Sequence, residues 1–345
     1  MQRRFSLIAL CVVAWTVASC ATGKEPSPSF TPPTAIAPSS SSAGAATTAP
    51  LGQPVLTPVI GSVLAPPTPV AATDGKLHLA YELVLTNTLP QQVTLTSLAA
   101  LAGDKTLLSL SGDGLAYWTR PLGQPTPSTK LGPAQTALVW LDVAVEKAST
   151  VPSDITHTIG LTVTQPQPPL VPVTITETIA PTKVNATKPV IISPPLSGAS
   201  WLNSDGCCGM SAHRMAVNPL NGQLWAAERY AIDFVQLTSD GRLFIGDKTK
   251  PESYPYFGAD IRAVADGPVV AVVNNLPEQV PGTNPTGLPL DQYSGNHIVQ
   301  DIGGGNFALY AHLKLGSVRV KVGDKLTTGQ TIASLGNTGN TSAPH

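Results

Sequence analysis

Apolar and polar residues alternate with a period of two through much of the first half of the chain. Leu77, Leu79, Tyr81, Leu83 and Leu85 take every second place. Val139, Leu141, Val143 and Val145 do the same, as do Ile155, His157, Ile159, Leu161 and Val163, and Val173 and Ile175 fit one more short run. Successive side chains of a strand point to opposite faces, so each run predicts a half-buried β-strand. Pro and Gly clusters separate the runs, and short strands at this spacing predict an antiparallel β-sandwich over residues 71–182. His157 falls on the apolar face of its strand and His78 on the face opposite the leucines. Both are expected to be structural or surface histidines, and the sandwich to be a spacer or a binding module.

A Pro-bearing linker over 183–200 leads to a second series of apolar runs in residues 201–345. Strands are predicted at 224–227, 230–237, 261–265, 269–273, 297–301, 307–312, 318–320 and 331–335, divided by turns such as Asn221-Gly222, Asp240-Gly241, Asp266-Gly267 and Gly303-Gly304-Gly305. No stretch keeps a helical period. The fold class expected is therefore all-β: a sandwich followed by an all-β domain of curved antiparallel sheets forming a groove. The long segment between Asp233 and Ile261, with Tyr254-Pro255-Tyr256, is a candidate flap over that groove.

The front of the chain lacks both patterns. Residues 21–70 are largely Pro, Ser, Thr and Ala, a composition that cannot bury a core and predicts a flexible tether. Residues 1–20 read as a signal peptide: Arg3 and Arg4, then an apolar stretch from Phe5 to Val17 that is too short for a confident membrane span. Its end, Val17-Ala18-Ser19-Cys20, resembles a bacterial lipobox, which implies cleavage before Cys20 and lipidation of that residue. Each buried acyl methylene adds roughly 0.8 kcal/mol of membrane affinity. The chain is thus expected outside the cytoplasm, lipid-anchored to a bacterial cell membrane or outer membrane. Its net charge of −1 gives no basic face for a nucleic-acid partner. With Cys11 in the signal and Cys20 lipidated, Cys207 and Cys208 remain in an oxidising compartment. A bond between neighbours is strained and not the favoured outcome, and the pair is assigned no role.

Candidate chemistry sits in the last domain, as five short pieces in order. They are Ala231-Ile232-Asp233-Phe234; Ala263-Val264-Ala265-Asp266-Gly267-Pro268; Tyr310-Ala311-His312-Leu313; Val322-Gly323-Asp324 with Gly329-Gln330; and Gly336-Asn337-Thr338-Gly339 followed by Pro344-His345. Over roughly residues 205–345 this series resembles the lysostaphin-like (LytM-type) zinc metallopeptidases, which cleave peptide cross-links of bacterial cell walls. The resemblance implies one Zn2+ per complete domain, Asp233 as a metal ligand, and His312 and His345 as catalytic histidines that orient water and stabilise the oxyanion. Three protein ligands would leave one zinc position open for that water. The substrate implied is peptidoglycan or another peptide.

The chain departs from the family pattern at two places. Four residues before Asp233, where the family carries a histidine ligand, stands Arg229, and a guanidinium offers no lone pair to a metal. His213 is the proposed substitute, expected on the other arm of a hairpin turning between Asn218 and Gln223. Pro219 favours a loop longer than two residues, which would put His213 on the face of Asp233. The family pattern also continues past the position of His345 with Leu-His-Phe, whose histidine is the third ligand, so the domain is expected to be incomplete at its C-terminus. The alternative function is a catalytically degenerate lipoprotein of the same fold that binds cell wall or activates a partner amidase.

Overall fold

A computed structural model describes residues 55–345. The signal segment, Cys20 and most of the tether lie outside the described residues. The first unit has β1 (Val59–Val63), β2 (Pro69–Ala71), β3 (Leu77–Asn87), β4 (Val93–Ala102), β5 (Lys105–Ser111), a short helix α1 (Gly112–Tyr117), β6 (Thr119–Pro121), β7 (Lys130–Leu131), β8 (Thr136–Val145), β9 (Asp154–Val163) and β10 (Thr174–Lys183). These form two sheets, β1-β3-β8-β6 with β2 on β3, and β10-β9-β4-β5 with β7 on β4, and every pairing is antiparallel. Leu79, Tyr81, Leu83, Val139, Leu141, Ile159 and Leu161 meet in the core between them. The first sheet starts earlier than the pattern suggests: Val59–Val63 pairs along β3, so residues assigned to the tether are sheet. Strand β4 escapes a period-two reading because its register shifts between Leu95 and Ser97, so that Leu95 and Leu98, three apart, both point inward.

Among the buried polar groups of this unit are His157 and Glu177. His157 is fully buried, with Nε2 2.8 Å from the Tyr81 hydroxyl and Nδ1 3.0 Å from the Ala180 carbonyl, a satisfied core histidine. Glu177 accepts from Val59 N at 3.1 Å while its second oxygen has no partner. Burial pushes its carboxyl up to about 7, against the lowering effect of the Val59 bond. The folded state therefore holds this proton more tightly than the unfolded chain, whose carboxyl titrates near 4.5. Stability should be greatest below that value and fall by on the order of 3 kcal/mol as pH rises through about 7. Urea unfolding between pH 4 and 8 should show this decline, and Glu177→Gln should flatten it; an unchanged slope in the variant would assign the decline to other groups.

Strands β3 and β8 bury both faces. Ala80, Glu82, Leu138 and Trp140 point away from the sandwich core and are as buried as the core residues opposite them. Their cover comes from the second unit. Arg214, fully buried, donates from Nη2 to the carbonyls of Tyr81 and Leu141 at 3.1 and 3.0 Å and pairs with Glu82 through Nη1.

The second unit comprises β11 (Trp201–Ser204), α2 (Ala212–Met215), β12 (Asn218–Leu220), β13 (Gln223–Trp225), β14 (Asp233–Gln236), β15 (Asp260–Arg262), β16 (Gly267–Val273), β17 (Asn296–Gly303), β18 (Asn306–Leu313), β19 (Lys325–Leu326) and β20 (Thr331–Ser334). Its largest sheet runs β18-β17-β16-β19, and β11-β14, β12-β13 and β15-β20 are two-stranded pairs. The described residues are nearly all-β, with antiparallel sheets. Ile261, Ala263, Val269, Ile298, Tyr310, Leu313 and Ile332 form the core. Two expectations change. Residues 318–320 are not a strand; Val318 and Arg319 spend their N–H groups on Asn274 Oδ1 and the Ile332 carbonyl. The candidate flap is anchored: Tyr254 and Tyr256 are buried, and Tyr256 meets the Trp201 ring edge-on.

Candidate metal centre

Asp233 opens β14 and faces Ser204 of β11 across the ladder. Its Oδ1 lies 3.1 Å from His213 Nε2 and 3.4 Å from His345 Nε2. The His345 ring in turn lies against His312, with centroids 4.6 Å apart. The structure therefore gathers all four side chains named from the sequence, His213, Asp233, His312 and His345, at one place.

The route by which His213 arrives differs from the expected hairpin. Asn221 and Gly222, with φ of 51° and 77°, make a tight two-residue turn, and Pro219 sits within β12 opposite Leu224. A two-residue loop with both central residues at positive φ matches the natural twist of paired strands, and proline is tolerated in an edge strand. The hairpin is thus short and starts after His213. His213 instead belongs to the single turn α2, capped by Ser211, whose hydroxyl accepts from Arg214 N at 3.1 Å.

His312 is placed by a distortion in β18. The β17–β18 register shifts between Asn296 and Ile298, and His312 has φ of 56°, a left-handed conformation that few residues other than glycine adopt. Its N–H donates to the Ser294 carbonyl at 2.9 Å, and Nδ1 lies 2.7 Å from the Thr338 carbonyl. That carbonyl is held by the Gly336–Gly339 turn. Thr338 Oγ1 accepts from Asn296 N and donates to the Leu313 carbonyl, and a Cβ would strike Thr338 if placed at Gly295 and Gly295 if placed at Gly339. His345 has its Nδ1 2.8 Å from the Ala343 carbonyl. A carbonyl only accepts, so both rings carry their hydrogen on Nδ1 and turn Nε2 free.

The electrostatics follow from this geometry. The hydrogen bond with Asp233 raises the His213 imidazole to about 9, against burial, which lowers it. Burial works to raise the Asp233 carboxyl, but the His213 hydrogen bond and the charge of the neighbouring histidines outweigh it and hold the carboxyl below its ordinary value. Burial and the neighbouring His345 push His312 down to about 4, so it is neutral at physiological pH.

The donor set fits a zinc ion. Imidazole nitrogen and carboxylate oxygen are its usual ligands, and tetrahedral ligands at about 2.0–2.2 Å stand roughly 3.2–3.6 Å apart, close to the 3.1 Å between His213 Nε2 and Asp233 Oδ1. The free Nε2 of His345 facing a carboxylate oxygen also calls for a cation or proton between them. His213 Nδ1 has no partner; a ligating His213 would move its hydrogen there.

Arg229, which stands where the resemblance calls for a ligand, is committed elsewhere. Its Nε donates to Glu82 Oε1 at 3.1 Å and its Nη2 pairs with Oε2. Near the same interface lie His78, Asp142 and Cys208, a further group of ligand-type side chains. Cys207 and Cys208 are joined to each other, contrary to expectation, so the Cys208 sulfur is spent. Both ring nitrogens of His78 are also engaged, Nδ1 by Asp142 and Nε2 by Asp74. His297 stays apart, with Nδ1 on the Gly295 carbonyl at 2.9 Å.

Residues 254–345 match the model of Peptidase family M23, the LytM-type peptidases. The matched segment contains His312 and His345 and leaves out His213 and Asp233. No curated protein matches the chain. Two solved structures are similar to it. One, described as a candidate peptidase M23 from Pseudomonas aeruginosa, is 13% identical and covers 73% of this chain and 84% of its own, with a TM-score of 0.25. The other, described as a zinc containing peptidase from Vibrio cholerae, is 13% identical and covers 80% and 79%, with a TM-score of 0.28.

Proposed function

We propose that this chain, with its M23-matching segment as the premise, is a lipid-anchored zinc metalloendopeptidase outside the cytoplasm that hydrolyses the peptide cross-links of bacterial peptidoglycan. The observation that carries the catalytic part is the convergence of His213 Nε2 and His345 Nε2 on Asp233 Oδ1, with His312 alongside. His213 and Asp233 would hold the ion, and His312 and His345 are left to handle protons. Zinc at that place supplies an acidified water and a Lewis acid for the scissile carbonyl. His312, neutral and with Nε2 unprotonated, accepts a hydrogen bond from the attacking water and so orients its lone pair. His345 Nε2 is similarly presented by the Ala343 carbonyl and can take up the proton that the water loses, then deliver it to the departing amine. Thr338 and Ala343 fix which nitrogen of each ring is available.

Support for the anchor and the cell-wall substrate comes from the N-terminal signal pattern, the lipobox ending in Cys20 and the tether composition. The degenerate cell-wall binder drew on Arg229; that side chain is held by Glu82, and His213 stands beside Asp233 in its place, which favours catalysis. The test has two arms. Protein continued through the Leu-His-Phe of the family pattern and its closing strands should hold one zinc and release soluble peptides from isolated peptidoglycan, both lost with a chelator and restored by zinc, and the 345-residue form should do neither well. In cells, Cys20→Ser should leave the membrane fraction. Tight peptidoglycan binding without zinc or hydrolysis would replace the peptidase with the binder.

A further inference from the structure

We infer that the sandwich is a structural part of the metal centre: Glu82 is a positioning residue that holds Arg214 and Arg229 and through them sets where His213 and Asp233 stand. The inference rests on the reading of His213 and Asp233 as the metal ligands.

From Trp201 to Ser253 a single side chain is buried, and it is Arg214. The segment that carries His213 and Asp233 therefore has almost no core of its own. Its regular structure amounts to one helical turn, a three-residue hairpin and the short β11–β14 ladder. Trp201, Val235 and Phe244 pack against the second unit's core, and the remaining hold on the segment comes from the sandwich. Arg214 directly follows His213 in α2, and its guanidinium reaches the Tyr81 and Leu141 carbonyls as well as Glu82. Arg229 precedes Asp233 by four residues and takes both oxygens of the same carboxylate. One buried anion thus ties together the two stretches that supply the two ligands, and a planar fork on a carboxylate restrains direction as well as distance. Ala80, Leu138 and Trp140 around Glu82 exclude water from the contact. This also gives a physical role to arginine at position 229, where it serves the interface with the sandwich.

The test uses the same extended chain and its Glu82→Gln variant, which keeps the shape of the side chain and removes its charge. Amide hydrogen exchange should quicken at least about tenfold through residues 205–236 and stay unchanged in β4, β9, β16 and β17, because a local restraint is lost and the cores are not. Cobalt(II) affinity should fall by about 10–100-fold, the range seen when a group supporting a ligand is removed, and the visible spectrum of the bound ion should change shape. Arg229→Lys retains the charge without the two-pronged contact and should show the same pattern more weakly; it takes over the test if Glu82→Gln does not fold. Unchanged exchange in 205–236, faster exchange everywhere alike, or an unaltered cobalt affinity and spectrum would overturn the inference. If the parent chain binds no cobalt, the metallopeptidase reading falls and the exchange pattern alone decides whether Glu82 positions the segment.

Discussion

Replacing His312 with alanine is expected to leave zinc affinity within a few-fold and to lower kcat against peptidoglycan by roughly 10²–10⁴, the usual contribution of a positioned proton-handling group. The reasoning starts from the backbone. His312 occupies a left-handed conformation at a bulge and gives its Nδ1 hydrogen to Thr338, so one nitrogen faces the site in a fixed direction. It is the ring neighbour of His345 and makes no contact with Asp233 of the kind His213 and His345 make. Removal should therefore affect the reaction and not the hold on the ion. Alanine at positive φ carries a strain of about 1–2 kcal/mol, so His312→Asn, which tolerates that conformation, is the matching control. Both variants should lose kcat to a similar extent, with stability recovered in the asparagine form. A variant that loses zinc affinity and regains its kcat when zinc is raised to saturation would make His312 a ligand.

The motif around His312 and His345 was legible because its geometry is local. Gly336, Thr338 and Gly339 build one turn, and that turn supplies the Thr338 carbonyl that orients His312. Residue types so closely tied to backbone shape leave a pattern in short windows of sequence. Alternation likewise marked β3, β8 and β9, whose inward residues form the sandwich core. It could not mark β4, where a bulge resets the period.

The contacts that place His213 and Asp233 were not legible, because they join residues far apart in the chain, 73 positions for Arg214 and Leu141 and 147 for Arg229 and Glu82. Glu82 and Arg214 meet through an outer sheet face, and no local pattern records such a pairing. A trace of it was nonetheless present. The run Ala137-Leu138-Val139-Trp140-Leu141 is apolar on both faces, and every one of these residues is buried. A half-exposed strand would carry polar residues at 138 and 140, so this run implies a cover on its outer face. Glu82, opposite Trp140, is then a buried charge that needs a cation, and the second domain supplies two. The observed path to His213 departs from the expected long-looped hairpin for a related reason: Pro219 lies in an edge strand, which has no need of that N–H.

The largest effect is expected from Asp233→Asn, read through zinc-dependent stability as well as hydrolysis. In the parent, zinc at about a hundred times its dissociation constant should raise the unfolding free energy by ~2.7 kcal/mol, since the ion binds the folded chain and not the unfolded one. Asp233 is the one negative charge shared by His213 and His345, and its oxygen is the common point of both separations. An amide of the same shape keeps an oxygen there but not the charge that balances the cation, and half of its orientations turn an NH₂ toward the ion. A hydrogen bond to a charged group contributes about 1.5–3 kcal/mol, so the variant also loosens His213 from the arrangement found here. Zinc content should fall below one tenth of an equivalent under conditions that saturate the parent, the zinc-dependent rise in stability should disappear, and peptide release should drop to the level of chelated protein. The β11–β14 ladder runs through the backbone of residue 233, so far-ultraviolet circular dichroism should not change. A variant that still gains stability from zinc as the parent does would place the ion away from Asp233 and leave the convergence of these three side chains as an ion pair of the fold.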